Sequence, residues 1–266
     1  MQIGECVRWG TFGFEEHIMS RKVVFHHVPK CGGTSITRGL VFALYPSRLL
    51  LKGKRGFSGL NARAASKVSD DWHLDSHHYR RTLLAYELEK EASPFIYGHF
   101  PFSTEVFRQH RDRWSFVTLL RNPIDRWYSE YFYNRHKSFE YAKTELDVEA
   151  YLEAPEGLAK TMAFVNFFVE RNDILSAPSQ LEVDMAIENL SRFTIVGTLE
   201  DLQGFARQVK DKLGRKPVFV RTNKSPAPRD SRIVPDEKSE FHRKLSQHLA
   251  GDIEVYRAIC QGDRRC

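Results

Sequence analysis

Six consecutive residues carry the first chemistry in this chain: Lys30, Cys31, Gly32, Gly33, Thr34 and Ser35. They follow a β-branched apolar run, "KVVFHHV" (22–28), and lead into "TSITRGLVFALY" (34–45), where Ile36, Leu40, Val41 and Leu44 recur at helical spacing. A loop between a buried strand and a helix start gathers unpaired backbone N–H groups, and the helix dipole adds roughly half a positive charge there. Two glycines let the backbone approach a phosphate closely. Thr34 and Ser35 add hydroxyl donors, and Lys30 adds a mobile cation from the strand side. These residue types in this order suit an anion.

A second constellation stands about ninety residues on. Arg121 ends the apolar run "WSFVTLLR" (114–121), and Ser129 lies two turns into "NPIDRWYSEYFYNRHK" (122–137). An arginine fork with a hydroxyl nearby suits a terminal phosphate monoester. Arg126, three residues before Ser129, shares that helix face, and a structural ion pair explains it equally well. Among 11 histidines, His99 ends "PFIYGHF" (94–100). Open parallel sheets keep their sites at the carboxyl ends of strands, and a near-neutral imidazole is a suitable general base. His27, inside a strand, reads as a core histidine that holds the loop. His26, His77 and His78 are weaker candidates for the base, and carboxylates such as Glu105 cannot be ranked.

The elements that must position these groups follow from periodicity. Residues 22–28, 94–100, 114–121 and 193–198 read as strands. Helices are expected over 34–45, 77–92, 122–137, 147–153, 158–170, 181–191 and 199–214, with a long final helix over 236–260, broken near Gly251 if at all. Asn122 is a candidate cap with Pro123 in the first turn, and Gly214 closes its helix. Residues 46–76 read as a loop, with a basic, mobile "KGKRGFSG" (52–59). Strands separated by helices predict an α/β protein with a parallel sheet, in one domain over 1–266, with 1–20 as an extension.

Composition excludes several classes. Hydrophobic residues make up 41% and aromatics 12%, enough for a sizeable core. No apolar run approaches the ~20 residues of a membrane span. The first seventeen residues have no apolar segment of a secretory signal, so a soluble, cytoplasmic, bacterial protein is expected. The net charge of +6 is a mild bias toward anionic partners. Cys6, Cys31, Cys260 and Cys266 have no zinc spacing; Cys260 and Cys266 could bridge, whereas free thiols suit a reducing cytosol.

The ATP loop GxxxxGK[ST] places lysine after the last glycine, and "PKCGGTS" does not. The stretch "FHHVPKCGGTS" instead resembles the 5′-phosphosulfate loop of sulfotransferases that use 3′-phosphoadenosine 5′-phosphosulfate (PAPS). It is closest to the carbohydrate group of uronyl and heparan 2-O-sulfotransferases, with its F-x-H-x-P-K-x-G-G-T-S pattern. "LLRNPIDRWYSEY" (119–131) is similar to that family's 3′-phosphate site, L-R-[DN]-P-x-x-R-x-x-S-x-Y. The resemblance implies a P-loop-NTPase-like three-layer α/β fold, with a central parallel sheet flanked by helices, and transfer that needs no metal. It also implies that Arg121 and Ser129 hold the 3′-phosphate, residues 30–35 the 5′ side, and His99 the role of base. "IVGTLEDLQGF" (195–205) is similar to a late structural segment. "RTNKSPAPR" (221–229) resembles a loop that closes over the nucleotide, which puts Lys224 and Ser225 near the 3′-phosphate or adenine; a basic solvated turn competes. The likeness runs in patches over about 22–230 and misses 1–20, 46–92 and most of the last helix.

The resulting expectation is a sulfotransferase with PAPS as co-substrate, 3′-phosphoadenosine 5′-phosphate (PAP) as product and a hydroxyl acceptor, a saccharide or glycoconjugate. An ATP-dependent phosphotransferase and a non-enzymatic polyanion-binding module are the alternatives. The basic segment 51–67 could be an acidic-glycan platform or merely a solvated loop. The aromatics of 125–141 could stack on sugar rings, although Trp127 and Tyr131 fit a core face.

Overall fold

The computed structural model describes residues 22–171, 173–220, 236 and 238–262. In chain order the elements are β1 (Lys22–His26), α1 (Gly33–Leu44), α2 (Pro46–Lys52), β2 (Ser58–Gly59), α3 (Ala62–Asp71), α4 (Ser76–Lys90), β3 (Phe95–Gly98), α5 (Thr104–His110) and β4 (Trp114–Leu120). They continue with α6 (Pro123–His136), α7 (Val148–Glu153), α8 (Pro155–Leu158), α9 (Ala163–Phe168), α10 (Gln180–Ser191), β5 (Ile195–Thr198), α11 (Leu202–Leu213), α12 (Glu240–His248) and α13 (Ala250–Gly262). The five strands form one sheet in the order β2-β3-β1-β4-β5, and every pairing is parallel.

Why the sheet has helices on both faces is visible in β1. Successive side chains of a strand point to opposite faces. Val24 packs with Ile96, Phe116, Leu88 of α4 and Phe107 of α5. Val23 and Phe25 pack with Phe95, Val117, Leu40 of α1 and Val209 of α11. Burying each such side chain stabilises the fold by roughly 1.5–3 kcal/mol. A third cluster joins Trp127, Tyr131, Tyr151, Leu245 and Leu249, so the aromatics at 127 and 131 are core residues of α6. Arg126 is fully buried, ion-paired with Glu130 at 2.8 Å and bonded to the Lys160 carbonyl, which is the structural reading of that residue.

The segment 46–76 is not a loop. Pro46 starts α2 at its first turn, and Asn61 caps α3 by accepting from the Ala64 N–H at 3.0 Å. β2 is only two residues long and pairs with Ile96 and Tyr97 of β3. One further expectation changes. The stretch 158–170 is not one helix: α8 ends at Leu158 and α9 begins at Ala163, where the Asp252 carboxylate accepts from the N–H groups of Phe164 and Val165. The final helix is broken near Gly251, as the sequence allowed, into α12 and α13, with Leu249 buried at the break. Among the described residues no helix is long and apolar enough to cross a membrane.

Candidate active site

The site candidates lie at the carboxyl ends of three adjacent strands. His26 of β1 is in register with Gly98 of β3 and Thr118 of β4, so the chain leaves all three strands at one edge of the sheet. The helices that follow β1 and β3 pack on opposite faces, α1 on one and α5 on the other. A crevice at such a divergence is where open α/β sheets bind ligands.

The loop after β1 turns through two left-handed residues, Lys30 with φ of 66° and Gly32 with φ of 78°. At Gly32 a side chain is strained by its backbone and meets Leu199 at 3.0 Å. The Gly32 carbonyl accepts the first bonds of α1, from Ser35 and Ile36. The N–H groups of Gly32 and Gly33 precede that ladder, as anion-binding donors do. Gly33 meets a different constraint. A Cβ there would stand 1.8 Å from two ring atoms of His27. Gly33→Ala must therefore displace that imidazole, at a cost of about 1–3 kcal/mol in urea denaturation. The loss should largely vanish in a His27→Ala background; an undiminished loss there would mean that the ring is not what demands glycine.

Cys31 is buried, with its Sγ directed at the Pro29 carbonyl and its N–H bonded to the Val28 carbonyl. Burial pushes its thiol up to about 12. It holds the loop from inside and has no side-chain atom to offer a ligand. Thr34 is exposed and Ser35 half-buried.

Arg121 reaches this loop. Its Nη1 donates to the Lys30 carbonyl at 3.4 Å, which brings the two sequence-distant constellations together. Asn122 caps α6 by accepting from Ile124 and Asp125, and its own N–H donates to Glu200 at 3.0 Å. Ser129 is half-buried on α6, one turn before Tyr133. The Tyr133 ring lies 3.7 Å from the Lys30 ammonium. Burial brings that ammonium down to about 8, against the opposing pull of Glu130.

His99 follows β3 directly. Its Nδ1 lies 2.6 Å from the His27 carbonyl. A carbonyl can only accept, so Nδ1 carries the proton and Nε2 is left as the basic nitrogen. Burial holds its pKa below the ordinary value of 6.5, partly offset by that hydrogen bond. The His27 ring lies 4.4 Å away, its Nε2 buried without a partner among the described residues. Burial, then His99 and Lys30, keep His27 neutral. His26 is a core residue, bonded to the Phe100 carbonyl at 2.8 Å and lowered to about 4 by burial.

Several neighbours, apart from Arg63 of the basic segment 51–67, carry no signal that sequence reading singled out. Glu130 is ringed by cations: although burial opposes its charge, Lys160, Arg126 and Lys30 hold its carboxyl below the usual range. Lys137, at the end of α6, and Arg63, on α3, lie 5.0 and 4.2 Å from the Phe139 ring. Arg80 of α4 donates to Ser66 at 2.7 Å and is among the charges acting on His99. Only the spacing of Arg126 and Glu130, four apart on a helix, was there to be read. Lys224 and Ser225 lie outside the described residues. Two cavities, of about 400 Å³ between β2 and α4 and about 380 Å³ beside Trp114, are lined by none of Lys30, His99 and Arg121. No group of three or more metal-ligating side chains occurs among the described residues. No family model matches the chain, and neither does any curated protein.

Proposed function

We propose that this chain is a PAPS-dependent sulfotransferase with a P-loop-NTPase-like fold, acting on a hydroxyl of a carbohydrate or glycoconjugate. The observation that carries the reading is the hydrogen bond from Arg121 to the Lys30 carbonyl, which joins a loop suited to a 5′-phosphosulfate to an arginine suited to a 3′-phosphate. The residues fit the nucleotide: a helix start with two glycines, one ammonium and one guanidinium. Bound PAPS supplies an activated sulfuryl group, whose bond to the 5′-phosphate oxygen breaks as the acceptor oxygen bonds to sulfur. His99 Nε2 takes the hydroxyl proton. Lys30 and the loop N–H groups neutralise charge at the 5′ side, so positioning and electrostatics supply most of the rate and no metal is required. Arg63, exposed on α3 against the Phe139 ring, gives a basic, aromatic contact that suits a saccharide.

The test is a thermal titration without magnesium. At about 100 times its Kd, PAP should stabilise the protein by about 2.7 kcal/mol, a Tm rise of roughly 5–10 °C. ATP and ADP should do much less. A screen of saccharide, lipid and peptide hydroxyls with labelled PAPS then finds the acceptor. Equal stabilisation by ATP would favour a phosphotransferase, and tight, steeply salt-dependent binding of long polyanions would favour a binding module.

A further inference from the structure

The Lys30 ammonium faces an aromatic ring in place of a carboxylate. Its Nζ stands 3.7 Å from the Tyr133 ring centroid, well inside the range of a cation–π contact. Among the described residues no acidic oxygen comes within ion-pair distance of it. Glu130, the nearest acidic influence, is already held by Arg126 at 2.8 Å and Lys160 at 3.7 Å. The other charges facing Lys30 are Arg121, Lys137 and Arg126, with neutral His27 beside them. A cation among cations, whose acidic neighbour Glu130 is shared with Arg126 and Lys160, gains from another source of negative potential. The face of Tyr133 provides it.

The seat is itself braced. Tyr133 meets Phe139 edge-on at 6.3 Å, and the Lys137 ammonium lies beside both rings, at 5.7 and 5.0 Å. Arg63 covers Phe139 from α3 at 4.2 Å. Lys30 also leaves the backbone from a left-handed residue, φ 66°, a conformation that non-glycine residues adopt only where the surroundings enforce it. Backbone and ring together restrict a four-carbon stem that is otherwise rich in rotamers.

We infer that Tyr133 is the positioning residue for Lys30, its ring face holding the ammonium at the rim of the loop before any nucleotide arrives. The catalytic meaning rests on the sulfotransferase reading: a charge already in place at the departing phosphate needs no reorganisation during transfer. The hydroxyl of Tyr133 has no part in this, so phenylalanine should substitute for it.

The test has two arms that fail separately. In the first, lysines of the ligand-free protein are ¹³C-methylated and titrated by NMR, with Lys30→Arg assigning the resonance. Losing the ring disfavours the charged form, so in Tyr133→Leu the Lys30 midpoint should fall by about 0.5–1 pH unit. Tyr133→Phe should keep the wild-type midpoint. Tyr133→Met is a second ring-free variant if the leucine packs badly. In the second arm, turnover with labelled PAPS should fall about tenfold in the ring-free variants, with KM for PAPS nearly unchanged, and Tyr133→Phe should restore it. An unchanged Lys30 midpoint in both ring-free variants overturns the inference, as does a loss in Tyr133→Phe equal to that in Tyr133→Leu. A shifted midpoint in a protein that PAP fails to stabilise leaves the seat standing and removes the sulfotransferase.

Discussion

On the proposed function, His99→Ala should bind PAP as the wild type does and lose about 10²–10⁴ in turnover, the usual contribution of a positioned proton acceptor. The expectation comes from one hydrogen bond. With Nδ1–H donated to the His27 carbonyl at 2.6 Å, the ring is fixed in the tautomer whose Nε2 accepts. The pH profile carries the sign. A base works when deprotonated, and burial lowers His99 from 6.5, so the acid limb of kcat/KM should lie below that value. Lys30 works when protonated and is lowered to about 8 in the ligand-free protein, so the alkaline limb should begin near there. His99→Ala should lose the acid limb and keep the alkaline one. Initial rates with labelled PAPS between pH 5 and 9 measure both. Full activity in the variant removes His99 from the mechanism.

Arg121→Ala should cut the thermal shift given by PAP to about half or less. Charge-assisted hydrogen bonds contribute about 1.5–3 kcal/mol, so a Kd about 10–100-fold weaker is expected. The loss should be confined to the 3′ position. Adenosine 5′-phosphosulfate, which lacks that phosphate, should bind the variant and the wild type equally. Arg121→Lys should recover little, because an ammonium cannot reproduce the guanidinium fork. Arg126→Ala is the contrasting control: Arg126 is fully buried and pairs with Glu130, so its removal should lower Tm in the absence of nucleotide. If Arg121→Ala weakens both nucleotides alike, the residue does not read the 3′-phosphate.

The parallel strands were legible because buried strands read as continuous apolar runs, and "KVVFHHV" and "WSFVTLL" do so. The helix after Asn122 was legible through its cap and proline. β2 was not, since two residues carry no period and the pairing with β3 alone makes them a strand. α3 escaped notice because its buried positions are Ala65, Ser66 and Ser69, small residues that leave no apolar stripe. Among the candidates, Arg121 and His99 could be read because each directly follows a strand, and Lys30 because it precedes a glycine pair at a helix start. Tyr133 could not: on α6 it looks like Trp127 and Tyr131, which are core, and only tertiary packing turns its ring toward Lys30. Glu130 was hidden for the same reason, since Lys160 comes to it from another segment.

The imidazole of His27, seated where a Cβ of residue 33 would stand, ties two positions into one heritable unit. A lineage that acquires alanine at 33 while a bulky ring remains at 27 passes through the crowded, less stable intermediate. Shrinking residue 27 first opens the route, at the expense of the ring that rests beside His99. The order of substitutions, and not only their identity, is thereby constrained in this loop.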